Sequence, residues 1–175
     1  MSLLTNIVLP ENATGVVAQN YNRVKELLGY IPASCEVMSI NPFIQTRSLD
    51  YIDTIITHET LSGKLFAMIR MLVSNESDCK YCVDFNEAML MNAFGVTQEQ
   101  INNMKKDPSL APLDEKEKAL LLFVLKSTKD SLSTTPEDVA LLKEKGCSEL
   151  EIYDATYHGA NMVAGDIMIN SLRIE

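Results

Sequence analysis

The sequence predicts an all-α fold: a single-domain helical bundle of about eight helices over residues 1–175. Three observations predict it. Aromatic residues make up only 6% of the chain and tryptophan is absent, while Leu, Met, Ala, Glu and Lys are plentiful, a balance that favours helix over sheet. Apolar residues recur at helical spacing between capping signals along nearly the whole chain. No run alternates cleanly at a period of two, and no Asn-Gly or Asp-Gly hairpin dipeptide occurs. With 46% hydrophobic residues the chain can bury one substantial core, and neither an internal repeat nor a long linker divides it.

The elements follow from their punctuation. Thr14 caps a first helix whose apolar positions are Val17, Tyr21, Val24 and Leu28, with Gly29 as the stop. Pro32 suits the first turn of a second helix, and Pro42 interrupts it. Ile44, Leu49, Ile52, Ile55 and Ile56 suggest a third segment ending near His58. Ser62 begins a fourth, with Leu65, Met68, Ile69, Leu72 and Val73 as its apolar stripe. Ser77 or Asp78 caps the next helix, which stops at Gly95. Thr97 to Gln100 is a capping box, so a short helix runs to about Lys106. A loop follows from Asp107 through Pro112. Asp114 caps a helix from Glu115 to about Lys129. Thr135-Pro136 opens another that Gly146 ends, and Ser148 to Glu151 is a second capping box starting a last helix to Leu172. On that helix Gly159, Ala160, Ala164 and Gly165 permit close approach of another helix, within the subunit or across an interface.

A formal charge of −9 repels phosphate backbones and anionic lipid, so nucleic acid and membrane are poor partners. Met1 to Leu9 lacks a basic leading region and a small-residue cleavage site, and no apolar run reaches membrane length; a cytoplasmic protein is expected. In that reducing compartment the four cysteines are not a disulfide framework. Cys35 and Cys147 read as small buried hydrophobes.

Chemistry concentrates at Cys79-Lys80-Tyr81-Cys82. Residues three apart share a helix face, so the two sulfurs can meet. If a helix begins just before Cys79, its dipole and free amides favour the thiolates. Such a pair can attack, be oxidised and be resolved as a disulfide. Cys79 is expected nearer the exposed end, as resolving thiol, and Cys82 deeper, as nucleophile. Supporting roles fall to Asn86, on the face of Cys82, to Glu76 before the pair, to Tyr81, and to His158 if the last helix approaches. Glu87, Asp84 and Lys80 read as surface residues, and His58 as a helix-end contact. No metal or cofactor is expected: tetrahedral zinc wants four ligands, and neither a second cysteine pair nor a histidine cluster is present.

The segment from Ser62 through Val96 resembles the alkylhydroperoxidase D-like, carboxymuconolactone decarboxylase family. So do Leu113-Asp114-Glu115-Lys116-Glu117-Lys118-Ala119-Leu120, Asp138 to Gly146, and Ile152-Tyr153-Asp154-Ala155. The resemblance implies a helical bundle forming a homo-oligomer, commonly a trimer or hexamer. In the peroxidase branch it implies paired cysteines that reduce small hydroperoxides, or exchange disulfides with a protein partner, with the second cysteine attacking; this matches Cys82. That branch has a His four residues after the second cysteine and a Glu twelve before the first; here Asn86 and Ala67 stand there. The expected function is a cofactor-free, thiol-dependent oxidoreductase. A non-catalytic oligomeric scaffold binding a small ligand or protein is the alternative, and a lactone decarboxylase a remote third.

Overall fold

The computed structural model describes residues 2–175. Among these, nine α-helices and three short 3₁₀ turns account for the regular structure, with no strand. The chain packs into two compact units, residues 2–57 with 168–175, and residues 58–167.

The smaller unit holds α1 (Gly15–Leu28), α2 (Ala33–Met38) and α3 (Pro42–Ile56). Thr14 caps α1 through its backbone, and Gly29 ends it in the left-handed conformation, φ 80°. Val17, Tyr21, Val24, Cys35 and Leu49 form the core. Pro32 stands just before α2, and Pro42 begins α3 rather than cutting α2, which has already stopped at Met38. The expected stripe on α3 is also corrected. Ile44, Ile52 and Ile56 are exposed, and the inward face runs through Gln45, Leu49 and Ile55. Gln45 is buried because its amide is satisfied there: Oε1 accepts from Asn20 Nδ2 at 3.0 Å and Nε2 donates to the Cys35 carbonyl at 3.0 Å.

The larger unit is built on α4 (Gly63–Glu76), which lies against α5 (Lys80–Phe94) and α7 (Glu115–Lys129). α6 (Gln98–Lys106), α8 (Pro136–Glu144) and the 149–167 part of α9 (Glu149–Leu172) complete it. Except at α5, the caps of this unit form as the sequence predicts. Ser62 and Asp114 accept from Leu65 N and Glu117 N, and Thr97 and Thr135 close capping boxes. Ser148 and Glu151 close a third. The expected stripe on α4 is too narrow, because Phe66, Ala67, Met71 and Ser74 are buried beside it. A helix buried this completely sits at the centre of its unit.

At Gly159 α9 comes so close to α7 that an added Cβ would lie 2.4 Å from Val124 Cγ1 and 3.1 Å from Thr128 Cγ2. Gly165 and the exposed Ala160 and Ala164 meet no such neighbour. Of the small residues on α9, Gly159 therefore serves packing inside the subunit. Gly159→Ala is expected to lower stability by about 1–3 kcal/mol, through overpacking, in urea unfolding followed by circular dichroism. Gly165→Ala should change it by well under half that amount.

Candidate functional site

The turn from α4 to α5 places the cysteines. Ser77 ends α4, Asp78 takes a left-handed φ of 52°, and the Cys79 N–H donates to the Ser74 carbonyl at 2.9 Å. This is a Schellman closure with Asp78 in the place glycine usually fills. Cys79 is therefore at once the last residue of that turn and the N-cap of α5. Neither Ser77 nor Asp78 caps α5, as the sequence had suggested, because both are spent on closing α4.

Cys79 is fully buried and Cys82 is 5% exposed, so the expected order of depth is reversed. Both are free thiols. Their sulfurs lie within 4.8 Å of each other and of a carboxylate oxygen of Asp166, which α9 brings in from 84 residues further along the chain. Asp166 is 1% exposed. Its Oδ1 accepts from Ser74 Oγ at 2.8 Å, while Oδ2 is buried with no hydrogen-bond partner among the described residues. Ser74 thus holds both sides of the site, Cys79 by its carbonyl and Asp166 by its hydroxyl.

The environment opposes the expected thiolates. Burial pushes the Cys82 thiol far up from its ordinary value, and Cys79 and Asp166 push it the same way. Burial also raises Cys79, partly offset by its contact with Cys82. The helix dipole contributes about 0.3–2 kcal/mol at best. Loss of solvation and a carboxylate at close range outweigh it.

The other sequence candidates separate. Asn86 is buried and bridges: its Nδ2 donates to the Cys82 carbonyl at 2.8 Å, and its Oδ1 accepts from Arg70 Nε at 2.7 Å. Arg70 Nη1 lies 3.3 Å from His158 Nε2. Because arginine only donates, that nitrogen accepts and the imidazole is neutral. His158 therefore does reach the cysteine helix, through Arg70 and Asn86. Burial first, and the Arg70 charge second, lower its pKa to about 3, against an opposing Phe66 backbone contact. The Phe66 ring stands between the rings of His158 and His58, at 5.0 and 5.4 Å. His58 Nδ1 accepts from Leu61 N at 3.1 Å and its Nε2 faces Asp154 Oδ2 at 3.3 Å. Glu76 is exposed and pairs with Lys129 at 3.1 Å, so it is not drawn into the site. Tyr81 is half-buried on α5. Lys80 pairs with Asp84, and Glu87 with Lys105 at 2.6 Å. Sequence reasoning missed Asp166, Ser74 and Arg70. Their one signal was a polar residue on an apolar helix, which also describes ordinary surface positions.

No protein-family model matches the chain, and the search of curated proteins gives no match. Solved structures do match. One is the alkylhydroperoxidase AhpD core of an uncharacterized peroxidase-related protein from Ralstonia eutropha JMP134, with a TM-score of 0.85 at 19% identity, covering 98% of this chain and 90% of that one. This chain has the alkylhydroperoxidase D-like fold. An uncharacterized peroxidase-related protein from Silicibacter sp. TM1040 gives a TM-score of 0.81 at 20% identity, covering 100% of this chain and 94% of that one. On this alkylhydroperoxidase D-like scaffold the expected relay positions hold a buried Ala67, which has no group to exchange protons, and Asn86, which is engaged in bridging.

A neutral buried His158 makes stability depend on pH. Its folded pKa lies below the unfolded value of 6.5, so the unfolded chain takes up the proton first, and stability present above 6.5 is lost as pH falls towards 3. Lowering pH from 7 to 5 should cost about 2 kcal/mol from this residue, measured as a fall in the urea midpoint. His158→Gln should flatten that fall.

Proposed function

We propose that the chain is a cofactor-free, cytoplasmic dithiol oxidoreductase that reduces small hydroperoxides or exchanges disulfides through Cys82 and Cys79. The observation that carries this reading is the pair of reduced sulfurs facing each other at the start of α5. Residues three apart on a helix have Cα atoms about 5 Å apart, inside the span a disulfide bridges. The alkylhydroperoxidase D-like fold of the two peroxidase-related neighbours supports the same class.

In the peroxide reaction the Cys82 sulfur attacks the terminal oxygen of ROOH. The O–O bond breaks, ROH leaves with the thiol proton, and Cys82 becomes a sulfenic acid. The Cys79 sulfur then attacks Cys82, the disulfide forms and water leaves. An external dithiol returns both cysteines to thiols and is itself oxidised to a disulfide. Cys82 is the attacking sulfur because it alone of the two reaches solvent. The sealed Cys79 suits internal resolution rather than attack on a partner. The raised thiols make the resting pair slow, so turnover is expected to be modest. They also favour a second reading, a helical scaffold that keeps the fold without the chemistry.

We further propose that the protein self-associates through α9, where Leu150, Tyr153 and Tyr157 are exposed. The trimer or hexamer implied by the family resemblance is the expected state, read by sedimentation at micromolar concentration.

The test is hydroperoxide consumption with a dithiol reductant. Native protein should turn over repeatedly. Cys82→Ser should lose most of the turnover, because the attacking sulfur is gone. Cys79→Ser, given peroxide without the dithiol, should stop after one turnover with a sulfenic acid that a cyclic diketone traps, where the native protein forms the disulfide instead. Equal rates in all three proteins would establish the scaffold reading instead.

A further inference from the structure

We propose that Cys79, Cys82 and Asp166 bind one thiophilic divalent cation, zinc by the chemistry of the donors, when the pair is reduced. This goes beyond the oxidoreductase reading and does not depend on it. The sequence alone offers two sulfurs with neither a second cysteine pair nor a histidine cluster to complete a site. The fold supplies a third donor by bringing Asp166 against the pair, with the three ligand atoms within 4.8 Å of one another. In a tetrahedral zinc site, bonds of about 2.0–2.3 Å set neighbouring donors roughly 3.3–3.8 Å apart, so small side-chain rotations close this set.

A second observation points to a ligand independently. Asp166 Oδ2 is buried with no hydrogen-bond partner among the described residues, and a carboxylate oxygen of the same side chain lies within 4.8 Å of both sulfurs. A buried carboxylate oxygen ordinarily has a partner, and its absence asks for one. Ser74 Oγ fixes the other oxygen of the same carboxylate at 2.8 Å, which is the supporting contact a ligating carboxylate uses to hold its orientation. Cys79 is held in turn by its N–H on the Ser74 carbonyl. The charge argument runs the same way. A carboxylate beside two thiols opposes the formation of bare thiolates, whereas a dication binds all three anions together and ionises the thiols as it enters. Three protein donors leave a fourth position for water or an external thiol, and Cys82, the less deeply buried of the two cysteines, marks the side nearer solvent. A bound cation would also withhold both sulfurs from oxidants, so metal and peroxide compete for the site.

Cobalt(II) is the probe. The full chain, reduced and freed of metal by a chelator, is titrated without oxygen. One equivalent should produce a thiolate-to-cobalt charge-transfer band in the near ultraviolet with the intense visible bands of tetrahedral cobalt. Zinc should abolish these bands and release about two protons per ion bound. Ser74→Ala should weaken binding by about 10–100-fold, and Asp166→Ala by more. Asp166→Asn, close to isosteric, serves if the alanine variant fails to fold. A native protein without the charge-transfer band overturns the proposal. So do Asp166 variants that fold and keep the native spectrum and affinity. The peroxide assay on the metal-free protein is read separately, so loss of metal binding leaves the oxidoreductase reading standing, and the converse.

Discussion

A helix enclosed on every side has to satisfy its polar side chains inside the protein, and α4 is such a helix. Water reaches little of it between Leu65 and Ser74. Ser74 therefore turns to Asp166 on α9, and Arg70 to Asn86 on α5 and His158 on α9. These bonds tie three helices together at fixed register. They are worth little singly, about 1 kcal/mol each, but an unmatched buried donor or acceptor costs more than a matched one gains. The candidate site is where these obligations converge.

The same enclosure decides the electrostatics. A thiol at a helix start is a familiar route to a reactive thiolate, and the sequence places Cys79 and Cys82 at such a start. Burial reverses the sign. What distinguishes a reactive pair from an inert one is not the motif but what lies above the helix end, and here it is a carboxylate. Residues 67 and 86 fit this: where the sequence resemblance leads to the expectation of a proton relay, one position holds an alanine and the other an amide engaged in bridging.

Much of the fold was legible because it is written in short-range signals. Caps at Ser62, Thr97, Asp114, Thr135 and Ser148 act through residues three positions away, within reach of a sequence window. Errors arose where tertiary context overrode a local rule. Asp78 adopted a conformation more typical of glycine, moving the cap of α5 to Cys79. Gln45 displaced isoleucines from the buried face of α3, because an amide with two partners is cheaper inside than its polarity suggests. In the site, the cysteine pair and the helix face that Asn86 shares with Cys82 were legible, but the bridge from Asn86 to Arg70 was not. The third member of the cluster was not, since nothing local separates a buried Asp166 from a solvated one.

The close approach at Gly159 reaches further than packing. Gly159 and Asp166 are seven residues apart, nearly two full turns, so they point in almost the same direction from the α9 axis. The side that glycine presses onto Val124 is thus the side from which the carboxylate reaches the sulfurs. The missing side chain sets the rotational phase of the whole helix. A rotation of one residue's step, about 100°, would carry the carboxyl group off the cluster altogether. Glycine here acts as a key that fixes how the rod is turned, and the polar chemistry two turns away inherits its aim.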